Sequence, residues 1–251
     1  MSFSIETCCA LNIGDRAEQQ DRVAVFAHPK YKGTLMAVLA DGIGGTSGGA
    51  MAAEQVIFKA KQNFDGYGPK SETVGYLLKN AMREAHQVIK LMRYANAKEP
   101  HSTAVIFMLT AQGAQWAHCG DSRLYYFRGE VLSGRTEDHS LVGDLLRQGK
   151  ISPEVALLHP QRNVLLSCLG TPELPDITLS PQLPLKAGDS FVLCSDGAWT
   201  YFTPEELGRV VHKLPAREAA AFIIDMARSR AAGRGDNISI AIVKLLEKDE
   251  E

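Results

Sequence analysis

Apolar residues along this chain follow two rhythms: short dense runs at its beginning, middle and end, and longer stretches with a three- and four-residue spacing. The runs Phe3 to Cys9, Arg22 to Ala27 and Thr34 to Ala40 predict strands, because apolar runs of this length bounded by turn residues suit a buried extended backbone. From Ala50 to Phe64 the residues Ala50, Ala53, Ile57, Ala60 and Phe64 share one helical face. From Thr73 to Met92 the residues Val74, Leu77, Leu78, Ala81, Ala85, Val88, Ile89 and Met92 do the same, so two helices packed on a sheet are expected. Strands resume at Thr103 to Leu109, Gln115 to His118 and Leu124 to Phe127, and Arg128-Gly129-Glu130 reads as a hairpin turn into Val131 and Leu132.

A less regular stretch, Thr136 to Ala187, holds one short helix ending near Gly149 and another opened by Ser152-Pro153, a cap residue followed by proline at the first helical position. Beyond the strand Ser190 to Cys194, Thr203-Pro204-Glu205-Glu206 has the spacing of a capping box. A further helical pattern covers Glu218 to Ala231, and Ile238, Ile240 and Ile242 mark one face of a last strand. Strands in runs and helices in pairs, without regular strand-helix alternation, predict an α+β fold with antiparallel sheets covered by helix pairs. The acidic end Glu247 to Glu251 reads as a solvated tail.

Composition changes this picture little. At 251 residues and 45% hydrophobic the chain can bury a large core, as one big domain or two small ones, and no linker is visible. A net charge of -2 with scattered basic residues gives no electrostatic footprint for nucleic acid. No apolar stretch approaches the length of a membrane span and no secretion signal opens the chain, so a soluble, cytoplasmic protein is expected. The five cysteines, Cys8, Cys9, Cys119, Cys168 and Cys194, lack metal-ligand spacing and read as reduced structural residues.

The chemistry lies in where the apolar runs stop. Three of them end at an aspartate beside glycine: LMAVLADG (Leu35 to Gly42), QWAHCGD (Gln115 to Asp121) and FVLCSDG (Phe191 to Gly197). Gly235-Asp236-Asn237 stands just before the last strand. Any one of these pairs is ordinary turn chemistry, and Gly188-Asp189 is read as a turn and nothing more. The four others are flanked by residues that turns do not require: Ile43-Gly44-Gly45 follow Asp41-Gly42, Ser122-Arg123 follow Asp121, and Ser195 precedes Asp196. Carboxylates converging at strand ends raise one another's pKa unless positive charge is supplied. Hard divalent cations with oxygen ligands supply it, which points to a metal-dependent hydrolytic site.

Gly14-Asp15-Arg16 with Gln20-Asp21, then Asp41-Gly42-Ile43-Gly44-Gly45, Gly120-Asp121-Ser122-Arg123, Asp138-His139-Ser140, Ser195-Asp196-Gly197 and Gly235-Asp236-Asn237, resemble in order the motifs of the metal-dependent protein phosphatases of the 2C type, in their bacterial form. The match runs from about Ser4 to about Leu246, so the resemblance implies one catalytic domain over 1–251. It also implies a four-layer α-β-β-α sandwich of two antiparallel sheets flanked by helix pairs, and hydrolysis of phosphoserine and phosphothreonine in proteins by a hydroxide activated between two metal ions. Phosphate monoester hydrolysis needs a nucleophile at neutral pH and positive charge on the transferring oxygens, and two Mn²⁺ or Mg²⁺ ions would meet both needs.

Carried over residue by residue, the resemblance makes Asp41 the bridge between both ions, with Asp196 and Asp236 completing the first ion's ligands and the Gly42 carbonyl serving the second. Asp121 resembles the aspartate of a third ion; a strand-end turn paired with Arg123 is the alternative. Asp21 matches an acidic residue that hydrogen-bonds metal-bound water, and Arg16 matches the arginine that grips the substrate phosphate, a task suited to its planar fork. Two departures stand out. Gln20 replaces a glutamate near the second ion, removing one negative charge, and Ile43 stands where eukaryotic relatives carry a histidine, which leaves the general acid unassigned. His118 and His139 are read as packing or capping residues. The stretch from about Asp144 to Leu185 matches the family's variable flap, which borders the active site and influences substrate choice.

The implied partners are phosphorylated proteins, substrates of a serine/threonine kinase, acted on by a monomer. The competing function is a catalytically weak pseudophosphatase that binds phosphoproteins as a regulator. A nucleotide phosphate loop over Gly42 to Gly49 fails because no Gly-Lys-Ser/Thr follows.

Overall fold

A computed structural model describes residues 3–43, 48–95 and 99–247. Gly44 and Gly45 of the first aspartate motif, and residues 248–251 of the acidic end, lie outside the described residues. The elements in chain order are β1 (Phe3–Asn12), β2 (Arg22–Ala27), β3 (Leu35–Ala40), β4 (Gly42–Ile43), α1 (Gly48–Gly66), α2 (Val74–Ala95), β5 (His101–Ser102), β6 (Ala104–Thr110), β7 (Gly113–Cys119), β8 (Arg123–Arg128) and β9 (Val131–Arg135). They continue with α3 (Leu141–Arg147), α4 (Pro153–Leu158), β10 (Thr178–Leu179), β11 (Asp189–Cys194), α5 (Asp196–Trp199), α6 (Pro204–Lys213), α7 (Ala216–Ala231) and β12 (Ile238–Glu247).

Two five-stranded sheets, ordered β1-β12-β11-β8-β9 and β10-β7-β6-β3-β2, pair antiparallel throughout. Their inner faces meet in a core that includes Leu39, Phe107, Trp116, Tyr126, Phe191 and Val243. The outer face of the second sheet, with Met36, Val38, Ile106 and Met108, is covered by Val56, Phe64, Leu77, Met82 and Ile89 of α1 and α2. The outer face of the first, with Phe127, Val192, Ile240 and Ile242, is covered by Leu207, Val211 and Ile223 of α6 and α7. Helix layers on both outer faces let central strands bury apolar side chains on both faces. That is why β3 and β6 read as unbroken apolar runs rather than as alternating strands.

The helix-start signals hold. Thr203 and Glu206 form the reciprocal capping box of α6, and Ser152 caps α4 with Pro153 behind it. Such caps are each worth about 1 kcal/mol. Among the described residues no helix is long and apolar enough to cross a membrane.

Strand register fixes where the chemistry goes. Arg22 pairs with Ala40, so Asp21 before β2 lies beside Asp41 after β3. Cys194 pairs with both Arg123 and Ile240, which sets Asp196 after β11 beside the turn carrying Asp121 and the approach to β12 carrying Asp236. Antiparallel neighbours place one strand's end next to another's start, and the five aspartates collect at one end of the sandwich.

Candidate active site

A cleft of about 560 Å³ at that end is lined by Asp41, Asp121, Asp196 and Asp236, with Arg16, Gln20 and Gly42 around them. Asp21 lies just behind, buried, with Ser195 Oγ donating to its Oδ2 at 2.7 Å and its Oδ1 left without a partner. Every residue expected at the site is thus at or beside one cleft. His118 and His139 line a different pocket, where His118 Nε2 meets the Glu137 carbonyl at 2.8 Å and His139 Nδ1 accepts from the Gly120 amide at 3.3 Å. They are packing residues, as expected.

The backbone of Asp41 is pinned from one side. Its amide donates to Thr103 Oγ1 at 3.1 Å, and its carbonyl accepts from the Thr103 amide at 2.9 Å and from Ser102 Oγ at 3.0 Å. On the next residue, a Cβ on Gly42 would lie 2.1 Å from the Gly49 carbonyl oxygen and 2.8 Å from that of Gln20, so only glycine lets β4 approach the start of α1 and the loop before β2 this closely. Gly14 is constrained twice over, with φ +65° and an imagined Cβ 2.0 Å from the Asp236 carbonyl oxygen. That close approach brings the Arg16 loop against the strand end carrying Asp236.

Electrostatics distinguishes this cleft from a set of turns. Burial pushes Asp41 well above the ordinary carboxylate range, and repulsion from Asp21, Asp196, Asp121 and Asp236 pushes it further. Asp196 is raised in the same way, by burial and then by Asp121, Asp236 and Asp21. Burial and then Asp138 lift Asp121 to about 7, and burial lifts Asp21 to about 6 against the lowering effect of the Ser195 hydrogen bond. Four carboxyls held this far from their preferred charge state need compensating cations.

The donor set fits hard divalent ions: carboxylate oxygens from separate strands, a partnerless buried oxygen on Asp21 and a carbonyl in the Gly42 approach. Among the described residues, however, no three His, Cys, Asp or Glu side chains are arranged as they stand to hold an ion. Arg16 accounts for part of this. Its guanidinium sits on Asp236 Oδ2 at 2.5 Å, a contact that raises the arginine's own pKa, so a protein cation occupies an oxygen that a metal ligand would need free. Arg16 is thus next to the carboxylates and 61% exposed, at the mouth of the cleft.

Arg123 does not make the Asp121 pair that the sequence offered as an alternative. It forms a bidentate pair with Asp138, at 2.9 and 2.7 Å, and stacks on Trp199 with 3.5 Å to the ring centre. The fork geometry of a carboxylate across the hairpin outcompetes the nearer aspartate in sequence.

Sequence reasoning quoted Ser195 and Asn237 beside the aspartates but gave them no role, and it passed over Thr103. Asn237 accepts from the Gln20 amide at 2.7 Å and donates to the carbonyls of Ile13 and Glu18 at 2.8 and 3.0 Å, tying the whole Arg16–Gln20 loop to the start of β12. Ser195 and Thr103 hold Asp21 and Asp41. The available signal was a polar side chain at the edge of an apolar run, too common to assign a role. Asn163, Leu165 and Cys168, from the stretch between α4 and β10, add to the cleft wall.

Residues 11–233 match the sequence profile described as Protein phosphatase 2C. The chain is 30% identical over 244 residues to the protein phosphatase PhpP of Streptococcus pneumoniae, covering 94% of this chain and 95% of that one. Among solved structures, the serine/threonine phosphatase PstP/Ppp of Mycobacterium tuberculosis superposes with a TM-score of 0.83 at 27% identity, over 96% of this chain and 99% of that one. A structure of the PstP catalytic domain in complex with two manganese ions superposes with a TM-score of 0.82 at 24% identity, over 97% and 99% of the two chains.

Proposed function

The chain belongs to the protein phosphatase 2C family, and from that premise we propose that it hydrolyses phosphoserine and phosphothreonine in proteins, using two Mn²⁺ or Mg²⁺ ions held by its aspartates. The observation that carries this reading is the group of half-buried and buried, mutually repelling carboxyls in one cleft with an exposed arginine at its mouth. When bound, the ions would acidify a water to give the attacking hydroxide and neutralise the phosphoryl oxygens. Asp41, Asp196 and Asp236, with the Gly42 carbonyl, are the residues that would hold them. Asp121 would serve a third.

Asp21 and Ser195 form a buried polar floor that orients the carboxylates from below. Arg16 binds the substrate phosphate. In this structure its guanidinium rests on Asp236, a carboxylate standing where a phosphoryl oxygen would be gripped, and it is long and exposed enough to swing from one to the other. Two further features belong to the same reading: residues 1–251 act as one catalytic domain with the flap over about 144–185, and the enzyme acts as a cytoplasmic monomer opposing a serine/threonine kinase.

Arg16→Ala is expected to raise KM or lower turnover for a phosphothreonine peptide without weakening Mn²⁺ binding, because the substitution removes a competitor for Asp236 rather than a ligand. Calorimetric titration of Mn²⁺ into both proteins checks this; a loss of metal affinity equal to that of an Asp41 variant would refute the assigned role. Gln20→Glu is expected to move the Mn²⁺ activation midpoint to lower concentration, since it returns a negative charge to the cleft wall. Gln20 now donates to Glu18 Oε2 at 3.3 Å, so the exchange also adds repulsion that only a nearby cation would offset. Coincident activation curves would remove Gln20 from the metal's surroundings.

The experiment that tests the function is steady-state hydrolysis of a phosphothreonine peptide before and after chelation and Mn²⁺ addition. Binding of the phosphopeptide without turnover under every metal condition would favour the pseudophosphatase.

A further inference from the structure

Beside the catalytic cleft lies a second groove, of about 490 Å³, lined by α3 and α4 and by the chain that follows Asp196. Val142 and Leu146 of α3 and Ala156 of α4 supply its apolar surface from one segment, and Trp199, Phe202 and Pro204 supply it from the other. Asp121, Asn163 and Asp196 line both the groove and the cleft, so the two adjoin at the carboxylates. The groove's other acids already have cations. Asp138 pairs with Arg123, and Glu206 pairs with Arg230 while it closes the α6 capping box. Arg135, which is exposed, enters no ion pair among the described residues.

Trp199 makes the groove a formed surface rather than a gap. Its Nε1 donates to the Asp121 carbonyl at 3.0 Å, and the Arg123 guanidinium lies over its ring with 3.5 Å to the centre. Two unrelated contacts thus fix the indole, and a wall already fixed costs an incoming ligand little ordering entropy. Yet Trp199, Leu146 and Pro204 are only half-buried, so apolar surface stays open to solvent here. Covering it removes that surface from water, which is favourable. The volume is within the usual range for ligand sites.

We propose that this groove holds the polypeptide that flanks the phosphorylated residue, and that it selects substrates with a bulky apolar side chain close to that residue. The inference rests on the phosphatase reading above and gives it a substrate preference. Continuity with the cleft names the occupant: a residue whose phosphate reaches Asp121 and Asp196 brings its own chain with it, and the groove begins at those same two aspartates. The lining names the side chain. A charged group would give up its hydration for carboxylates and guanidiniums that mostly pair with each other already, whereas Leu or Phe would cover Leu146, Trp199 and Pro204.

The test measures kcat/KM for phosphothreonine peptides in which each position around the phosphoresidue is in turn Leu, Ser, Lys or Glu. The reference is p-nitrophenyl phosphate, which has no flanking chain. One position is expected to prefer Leu over Ser at least about tenfold, the scale of an apolar side chain entering a pocket. Leu146→Glu keeps a good helix former in α3; it is expected to cancel that preference, turn it toward Lys at the same position and leave p-nitrophenyl phosphate turnover unchanged. In parallel, ¹⁹F NMR follows the full chain labelled with fluorotryptophan, whose two tryptophans are Trp116 and Trp199, with Trp116→Phe for assignment. The Leu peptide should move the Trp199 signal at about tenfold lower concentration than the Ser peptide. Equal kcat/KM at every position would overturn the groove's role, as would a Leu preference untouched by Leu146→Glu. So would a Trp199 signal that follows protein concentration and not peptide, the result expected of a second copy in the groove. Failure to turn over p-nitrophenyl phosphate or any peptide with Mn²⁺ would count instead against the catalytic reading, and the Trp199 titration would then decide the groove by itself.

Discussion

Chelation of divalent ions is expected to abolish hydrolysis of a phosphothreonine peptide, and Mn²⁺ to restore it, with Mg²⁺ less effective. The side chains that line the cleft offer no substitute for an ion-activated water. Cys168 is the only thiol there, and burial pushes it up to about 11, so the nucleophilic thiolate is scarce at neutral pH. His118 and His139 face another pocket, and Ser195 is committed to Asp21. A cleft walled by carboxylates would by itself repel a phosphate monoester. Positive charge must come with the reaction, and Arg16 supplies only one unit of it at the rim. Assay of the chelated and Mn²⁺-reloaded enzyme on the same peptide checks the expectation; full turnover in excess chelator would show that the carboxylates do not act through metal.

Asp41→Asn is expected to lower turnover by at least about two orders of magnitude, the scale of removing a principal electrostatic element from an active site. Asp196→Asn and Asp236→Asn should act similarly. The exchange keeps the shape of the side chain, and the Asp41 backbone bonds to Ser102 and Thr103 do not involve the carboxylate, so the fold should persist. Its stability in chelator supplies an independent readout. Asp41 is held well above the ordinary carboxylate range, which means that the fold disfavours its ionised form at neutral pH. A neutral amide in place of the carboxylate relieves that repulsion, so the variant's Tm in chelator should equal or exceed that of the parent. Loss of activity together with a lowered Tm would indicate a structural role instead, and near-parental turnover would remove Asp41 from the ligands.

Most of the elements are legible in the sequence because their signals are local. The periodicity from Ala50 to Phe64 and from Thr73 to Met92 returns as α1 and α2, and Ile238, Ile240 and Ile242 do share the helix-covered face of β12. The elements without a sequence forecast are β4, β5, β10 and α5, which are two residues or a single turn long. Nothing so short has a period to detect, and such strands form only through long-range pairing, as β7 holds Thr178 opposite His118 and β4 and β5 hold each other.

For the site, the chain by itself determined which aspartates end apolar runs, and hence which could gather at a sheet edge, but turn chemistry produces the same dipeptides. Gly188-Asp189 illustrates the limit. Asp189 is wholly buried and accepts from Tyr126, Arg128 and the Lys186 amide, a structural anchor away from the cleft. Asp196 follows the other end of the same strand and is half-buried among four other carboxyls. The difference is not in the residues beside them. Strand register placed Asp21, Asp41, Asp121, Asp196 and Asp236 at one end of two sheets, and Asn237, by bonding Gln20, Ile13 and Glu18, brought Arg16 onto them from the other end of the sequence. A carboxylate's pKa depends on charges within a few ångströms, and those neighbours lie up to about two hundred residues away along the chain, so only tertiary structure could turn separate turns into one charged cleft.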